Sequence, residues 1–322
     1  MRLAGLPRRA LGVWPTPLQR AERLSEELGA SIWIKRDDLS GLGLGGNKVR
    51  KLEYLVADAL ERGADVLVTG GGRQSNHAAL TSLAARKAGL DAHLVFYGDD
   101  PGGPPEGNGV LNDLSDAAIT YTKDDERSSV DAALEEVAAR LRDEGRNPYV
   151  IPRGGATPLG CAGYVRASLE LAGQLTTAEL TPSLIVVATG SCGTQAGLAV
   201  GRRWLQAPYR VLGVTVSRPA AECAERIRSL GAACAELLDL AIGAVEGEVI
   251  DGYLGPGYGL ESPEGRAAAE LVARTEGLVL DPVFTAKAMA ALLDIVRAGT
   301  GGPVVFWHCG GAPTAFVPRA GA

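Results

Sequence analysis

Three short stretches hold the residues with chemistry in them. In GGNKVRKLEYL, Lys48 stands at the first turn of an expected helix, just past a glycine loop, with Lys51 three residues on. Side chains three apart share one side of a helix start. A lysine beside a second ammonium, near the positive end of a helix dipole, is pushed toward the pKa range of an amine nucleophile or base. Taken alone, Lys48 reads first as a solvated helix-start lysine. In GGGRQSNHAAL a glycine turn enters a helix through Gln74, Ser75, Asn76 and His77. Four polar groups around a helix N-terminus suit a carboxylate or phosphate, and an ordinary serine N-cap is the plainer alternative. ATGSCGTQAGLAVG supplies a second strand, turn and helix. There Gly190, Ser191, Cys192, Gly193 and Thr194 offer backbone N–H groups and two hydroxyls, a cup for phosphate. A low-pKa lysine facing one cleft with two anion sites suits a lysine-bound aldehyde with a phosphate tail, which is pyridoxal 5′-phosphate, PLP.

Competing motifs fit less well. GLGLGG (41–46) matches G-x-G-x-x-G by letter, but it lies well past its strand and behind two aspartates, and a lone match is weak. The ATP-loop pattern fails because Asn47 stands where it requires lysine. Thirty-two basic against 38 acidic residues leave a net charge of −6, which argues against a nucleic-acid surface or a polybasic membrane anchor. No apolar run of about 18 residues is present to span a membrane, and no apolar stretch follows Arg8 and Arg9 as a secretory signal would require. Five cysteines without a C-x-x-C pair, and three histidines, predict neither a disulfide framework nor a metal site. A reducing, cytoplasmic setting fits them.

The elements that must position these residues alternate. Strands are expected at 31–38, 65–70, 92–98, 184–190, 211–216 and 304–308, with shorter ones at AITYT and NPYVIP. Helices fall between them from Asn47, from Ser75, across 126–144 and 159–173, from Gly193, near 220–230, at 264–276 and at 284–298. Strands alternating with helices of this length imply parallel sheets, and strands apolar on both faces imply that helices cover them. The 322 residues suffice for about two domains. The fold class read here is α/β: two open twisted parallel-sheet domains with a ligand cleft between them.

GGNKVRKLEYL, GGGRQSNHAA, ATGSCGTQAG, GYLGPGYG, LDPVFTAKAMAAL and HCGGAP occur in this order. Together they resemble the D-cysteine desulfhydrase / 1-aminocyclopropane-1-carboxylate (ACC) deaminase family of fold-type-II, tryptophan-synthase-β-like PLP enzymes, from about Pro15 to Pro318. The resemblance implies a large PLP-binding domain of residues 1–50 and 158–322, a smaller inserted domain of 51–157, and a homodimer. It identifies Lys48 with the lysine that holds the cofactor. Lys51 and the loop from Gly190 through Ser191 to Thr194 match phosphate contacts, and Asn76 the residue beside the phenolic oxygen. Gln74, Ser75, Asn76 and His77 match the substrate side, with Ser75 and Asn76 meeting the substrate carboxylate. Tyr258 matches an active-site tyrosine.

Two positions depart from the family pattern. D-P-V-Y is Asp281-Pro282-Val283-Phe284 here, followed by Thr285 where the deaminase carries glutamate toward the cofactor nitrogen. H-T-G-G becomes His308-Cys309-Gly310-Gly311, a weak hydrogen-bond partner in place of a hydroxyl. The implied reaction is β-elimination from a small amino acid, with D-cysteine the family's substrate, giving a 2-oxo acid, ammonia and sulfide. β-Replacement, racemisation and sulfite loss from cysteate share its first step. Phe284 disfavours ACC deamination, and with Cys309 it leaves open a PLP- or amino-acid-binding protein without turnover.

Overall fold

The structure is a computed structural model that describes residues 2–317. The end of the family resemblance at Pro318 and the remainder of the large domain, 318–322, lie outside the described residues. The elements in chain order begin with β1 (Leu18–Arg20), α1 (Glu22–Leu28), β2 (Ile32–Arg36), α2 (Lys48–Glu61), β3 (Val66–Gly71), α3 (Asn76–Ala88) and β4 (Asp91–Phe96). They continue with α4 (Asn108–Leu114), β5 (Ala118–Tyr121), α5 (Ser129–Asp143), β6 (Pro148–Val150), α6 (Pro158–Thr177), β7 (Leu184–Thr189) and α7 (Gly193–Trp204). The chain closes with β8 (Arg210–Thr215), α8 (Ala220–Leu237), β9 (Glu248–Ile250), α9 (Pro263–Glu276), α10 (Thr285–Ala298) and β10 (Val304–His308).

Two sheets result. Six strands run in the order β1-β2-β10-β7-β8-β9, and four in the order β5-β4-β3-β6. The four-stranded sheet draws its strands from 66–150 and is parallel throughout. The six-stranded sheet is parallel except at its edge, where β1 pairs antiparallel with β2, Leu18 opposite Lys35. That strand, like α1, α4 and β9, was not anticipated; three to seven residues are too few to show a period. Near 220, the expected short helix runs on to Leu237.

Helices cover both faces, as the apolar strands require. β7 and β10 are buried along their whole length. Against one face pack Met289, Leu292 and Val272 of α10 and α9, and against the other Leu171 and Leu198 of α6 and α7. Val49, Leu52 and Val56 of α2 join Leu80 and Ala84 of α3 on one side of the small sheet, with Leu134 and Val137 of α5 on its other side. The glycines of 41–46 serve backbone approach rather than a nucleotide. A Cβ on Gly310 would lie 2.6 Å from the Gly46 Cα, and the Asn47 N–H donates to the Cys309 carbonyl at 2.9 Å.

A buried charge cluster ties β2, α2, α6 and β10 together. Asp37, fully buried, accepts from Thr16 Oγ1 (2.9 Å), Arg50 Nη2 (2.8 Å), Tyr164 OH (2.7 Å) and Trp307 Nε1 (2.8 Å). Glu170 takes the other side of the Arg50 guanidinium at 2.8 Å and the Lys35 amine at 2.5 Å. Burial opposes the charge on Asp37 and Glu170, but Arg50 more than offsets it and leaves both carboxyls below their ordinary values. A depressed folded-state pKa means stability fully present above the unfolded value and lost as pH falls through the folded one. The cluster should therefore contribute fully above about pH 5 and lose that contribution progressively as pH falls below the ordinary carboxylate range. Asp37→Asn should lower unfolding free energy by about 3–5 kcal/mol in urea titration at pH 7. A loss under about 1 kcal/mol would show that the cluster is not the anchor described.

Candidate active site

The C-terminal ends of strands from both sheets face one cleft, the place where open α/β sheets bind ligands. Gly70–Gly72 end β3, Tyr97 follows β4, and Gly154 follows β6. From the other sheet come Gly190–Cys192 after β7, Ser217 after β8 and Cys309 after β10. The cavity they enclose measures about 200 Å³.

Lys48 opens α2 and lines this cleft. Its amine donates to Asn47 Oδ1 at 2.8 Å, and Asn47 Nδ2 donates in turn to Thr194 Oγ1 at 3.1 Å. The Lys48 pKa is lowered, as expected, but the cause differs from the dipole and the second ammonium. Burial does the lowering, partly opposed by Cys309 and Asp281. The second ammonium acts in the other direction: Lys51, fully buried, is lowered to about 7 by burial and then by Lys48.

The Lys51 amine donates to the Gly154 carbonyl at 3.1 Å and stands 3.0 Å from where a Cβ on Gly193 would be. It thus sits at the N-terminus of α7. Cys192 adopts a left-handed conformation there (φ 72°), a conformation that costs a non-glycine residue about 1–2 kcal/mol. Such a turn brings successive backbone N–H groups into one concavity, an anion nest. Gly190, Ser191, Cys192 and Thr194 line the cleft, and Gly193 backs onto Lys51.

On the opposite wall Ser75 does both things its sequence allowed. Its Oγ caps α3 by accepting from the Ala78 N–H at 3.2 Å, and the residue lines the cleft. Asn76 accepts from Asn108 Nδ2 at 2.6 Å through Oδ1, which turns its own amide N–H₂ toward Gly311. His77 is 2% exposed, and neither ring nitrogen has a partner. Burial, then Lys48 and Lys51, hold it well below its ordinary pKa, so it is neutral. Tyr258 and Phe284 also line the cleft, with rings edge to face at 6.2 Å.

Lys51 and Gly193 lie behind the cleft lining, and two further expected positions are held by other partners. Gln74 turns away to the Asn108 N–H (2.9 Å) and the Glu106 carbonyl (3.0 Å), because the start of α4 offers it a donor and an acceptor at once. Thr285 is buried behind the wall, its hydroxyl 2.6 Å from Asp281 Oδ1, and so cannot meet a cofactor. Asp281 also accepts from the Val283, Phe284 and Thr285 N–H groups and thereby caps α10. Sequence reasoning missed Asn47, Tyr97, Arg127, Asp131, Arg153 and Ser217, all cleft residues. Tyr97 falls at the end of an expected strand and Ser217 directly follows one, a signal that was there to use. Arg127 and Asp131, at the start of α5, gave none.

These residues fit PLP. Two lysine amines, Lys51 fully buried and Lys48 half-buried, have no carboxylate partner, and a buried imidazole has no partner at all. Each is costly unless a ligand supplies one. Lys48 would hold the aldehyde, and Lys51 with the α7 nest would hold the phosphate. Cys309 would sit by the ring with its thiol raised by burial to about 12, hence neutral. Because Lys51 is half-protonated near pH 7, an anion that does not itself titrate should bind the cofactor-free cleft less tightly as pH rises through about 7. Calorimetric titration with sulfate between pH 6 and 9 tests this, and Lys51→Gln should flatten the dependence. Equal sulfate affinity across that range in the unsubstituted protein would contradict the assignment.

Comparison with known proteins agrees with this geometry. The family described as pyridoxal-phosphate dependent enzyme matches residues 9–310. A D-cysteine desulfhydrase of Salmonella choleraesuis (strain SC-B67) is 45% identical over 324 residues, covering 98% of this chain and 97% of its own. Its counterpart in Salmonella paratyphi C (strain RKS4594) has the same identity and coverage. The crystal structure of an ACC deaminase homologue superposes with a TM-score of 0.91 at 43% identity, over 98% of this chain and 94% of that one. A threonine deaminase from T.th., at 22% identity and a TM-score of 0.65 over 92% of both chains, shares the fold. With a family match across most of its length and close relatives end to end, the chain belongs to the pyridoxal-phosphate dependent enzymes.

Proposed function

We propose that the protein is a D-cysteine desulfhydrase that removes sulfide from D-cysteine by β-elimination. The net reaction turns D-cysteine and water into a 2-oxo acid, ammonia and hydrogen sulfide. The observation that carries the reading is the desolvated Lys48 amine. It bonds to an amide rather than a carboxylate, between the α7 nest and the Ser75–Asn76 wall. The full-length likeness to relatives named D-cysteine desulfhydrase supports the choice of substrate.

PLP, when bound through Lys48, supplies the electron sink that lets the substrate's Cα–H bond ionise. The residues do the rest. Ser75 and Asn76, at the start of α3, bind the substrate carboxylate with hydroxyl and amide donors. Lys48, its pKa lowered by burial, would take the α-proton. The C–S bond then breaks with its electron pair on sulfur, and Tyr258 gives the departing hydrosulfide a proton. The phenol regains one from water. The one carboxylate lining the cleft among the described residues, Asp131, is held by Arg153 through bonds of 2.7 and 2.5 Å and is not free to act as a base.

The division into 1–50 with 158–322 and an inserted 51–157 belongs to the same reading, supported by the strand membership of the two sheets. So do the homodimer and a cytoplasmic location. No helix among the described residues is long and apolar enough to cross a membrane. Light scattering at micromolar concentration should give twice the 33.3 kDa chain mass, and the chain mass alone would overturn the dimer.

Phe284 sets the limit on chemistry. ACC has no α-hydrogen for Lys48 to take, so opening its ring needs another group. Phe284 has no oxygen with which to donate a proton or attack carbon. The PLP-loaded protein should release 2-oxo acid and sulfide from D-cysteine and negligible 2-oxobutanoate from ACC. Lys48→Ala should abolish the former. Robust turnover of ACC, or none of D-cysteine, would overturn the assignment.

A further inference from the structure

We propose that Arg127 is a positioning residue for Tyr258, reaching across the cleft to clamp the phenol ring against Phe284. The inference rests on the reading of Tyr258 as the proton donor to sulfur. Arg127 precedes α5, on the side of the four-stranded sheet, whereas Tyr258 lies in the loop between β9 and α9, on the other side. The guanidinium carbon stands 3.9 Å from the Tyr258 ring centroid, well within the range of a cation–π contact. Nη1 of Arg127 reaches the Ser217 carbonyl at 3.4 Å on the same far wall. Phe284 meets the ring at 78°.

The loop is tied to α10 at one end by Tyr253, whose hydroxyl donates to Asp294 at 3.0 Å. Tyr258 lies between Gly257 and Gly259, and residues 251–262 form neither helix nor strand. Lys287, fully buried in α10, holds the loop from behind by donating to the Leu254 (2.7 Å) and Gly257 (3.1 Å) carbonyls. Those bonds fix the backbone and leave the ring to Arg127 and Phe284. Arg127 stays available because its nearest acidic neighbour in the chain lining the cleft, Asp131, is engaged by Arg153.

The contact has an electrostatic consequence. Burial raises the Tyr258 pKa. Among the groups facing the phenol, Arg127 opposes that rise most, Arg153 adds to its effect, and Tyr97 and Asp281 work against it. A guanidinium over the ring favours the phenolate left when the proton goes to sulfur. Arg127 would therefore set both where the phenol points and how readily it gives up its proton. The loss of the phenol at 284 makes this matter, because Tyr258 and Tyr97 are the cleft's phenols among the described residues.

Arg127→Met, Arg127→Lys, Tyr258→Phe and the double variant Arg127→Met/Tyr258→Phe test the idea on the PLP-loaded protein with D-cysteine. Arg127→Met should lower kcat about tenfold, less than the roughly 10²–10⁴-fold that loss of the acid itself costs, because the phenol stays in place but is less well aimed. KM should change little, the PLP absorbance should be retained, and the alkaline limb of the pH–kcat profile should move upward. Arg127→Lys should restore most of kcat. The double variant should be no slower than Tyr258→Phe alone, because the two residues act as one unit. A direct readout is the ¹³Cζ resonance of labelled tyrosine, assigned with Tyr258→Phe, whose titration should shift upward in Arg127→Met. Unaltered kcat and titration in Arg127→Met, beside an impaired Tyr258→Phe, would overturn the inference. So would loss of PLP from Arg127→Met, or a further loss of rate in the double variant, since either marks a merely structural bridge. Full activity of Tyr258→Phe would instead overturn the role of Tyr258 itself.

Discussion

The buried pair of Asp37 and Arg50 is the interaction on which the active site hangs. Arg50 sits two residues beyond Lys48, in the first turn of α2, and Asp37 closes the β2 end from which the glycine loop departs. An unpartnered charge at that depth would cost several kcal/mol. The start of α2 therefore stays where Asp37, Glu170, Tyr164 and Trp307 hold it. With Arg50 pinned, the helical repeat aims Lys48 into the cleft, and Lys51 into the space before α7. The same carboxylate binds Tyr164 of α6 and Trp307 of β10, so the lysine helix is referenced directly to the sheet that carries the turn into α7.

A second constraint follows from the first. Holding two lysines at a closed-in helix start removes them from water without giving either a carboxylate. Burial answers by lowering both pKa values, that of Lys51 to about 7. A single arrangement thus places two amines of lowered pKa at one helix start. The nearby carboxyl groups are kept from interfering. Asp281 spends its oxygens on the N–H groups that start α10, and Asp131 on Arg153.

The wall opposite the lysine shows how the departures from the family pattern are absorbed. Asp281 caps α10 and so presents the Phe284 ring to the cleft, whether or not that ring bears a hydroxyl. Its apolar edge packs on Tyr258 instead. Cys309, buried and neutral, leaves the adjoining wall without a charged partner for a ring nitrogen. In the proposed reading, the absence of a phenol at Phe284 disfavours ring opening and leaves elimination open.

Much of this was legible in the residues themselves. Alternating apolar strands and helices define the α/β class because their periods are local. GGNKVRK, QSNH and GSCGT mark the cleft lysine, the α3 start and the turn into α7, because each is a run of neighbours whose geometry a single turn sets. What only the tertiary structure decided concerns partners far apart in the chain. Gln74 and Thr285 looked like site residues, yet Asn108 and Asp281 captured them. Arg127 and Asp131 carried no signal, and folding α5 over the small sheet set them at the mouth of the site. The cause of the low Lys48 pKa was likewise invisible in one dimension. Dipole and neighbouring charge can be read from sequence, but desolvation depends on which surfaces close over the amine, and only the packing of two sheets around one cleft determines that.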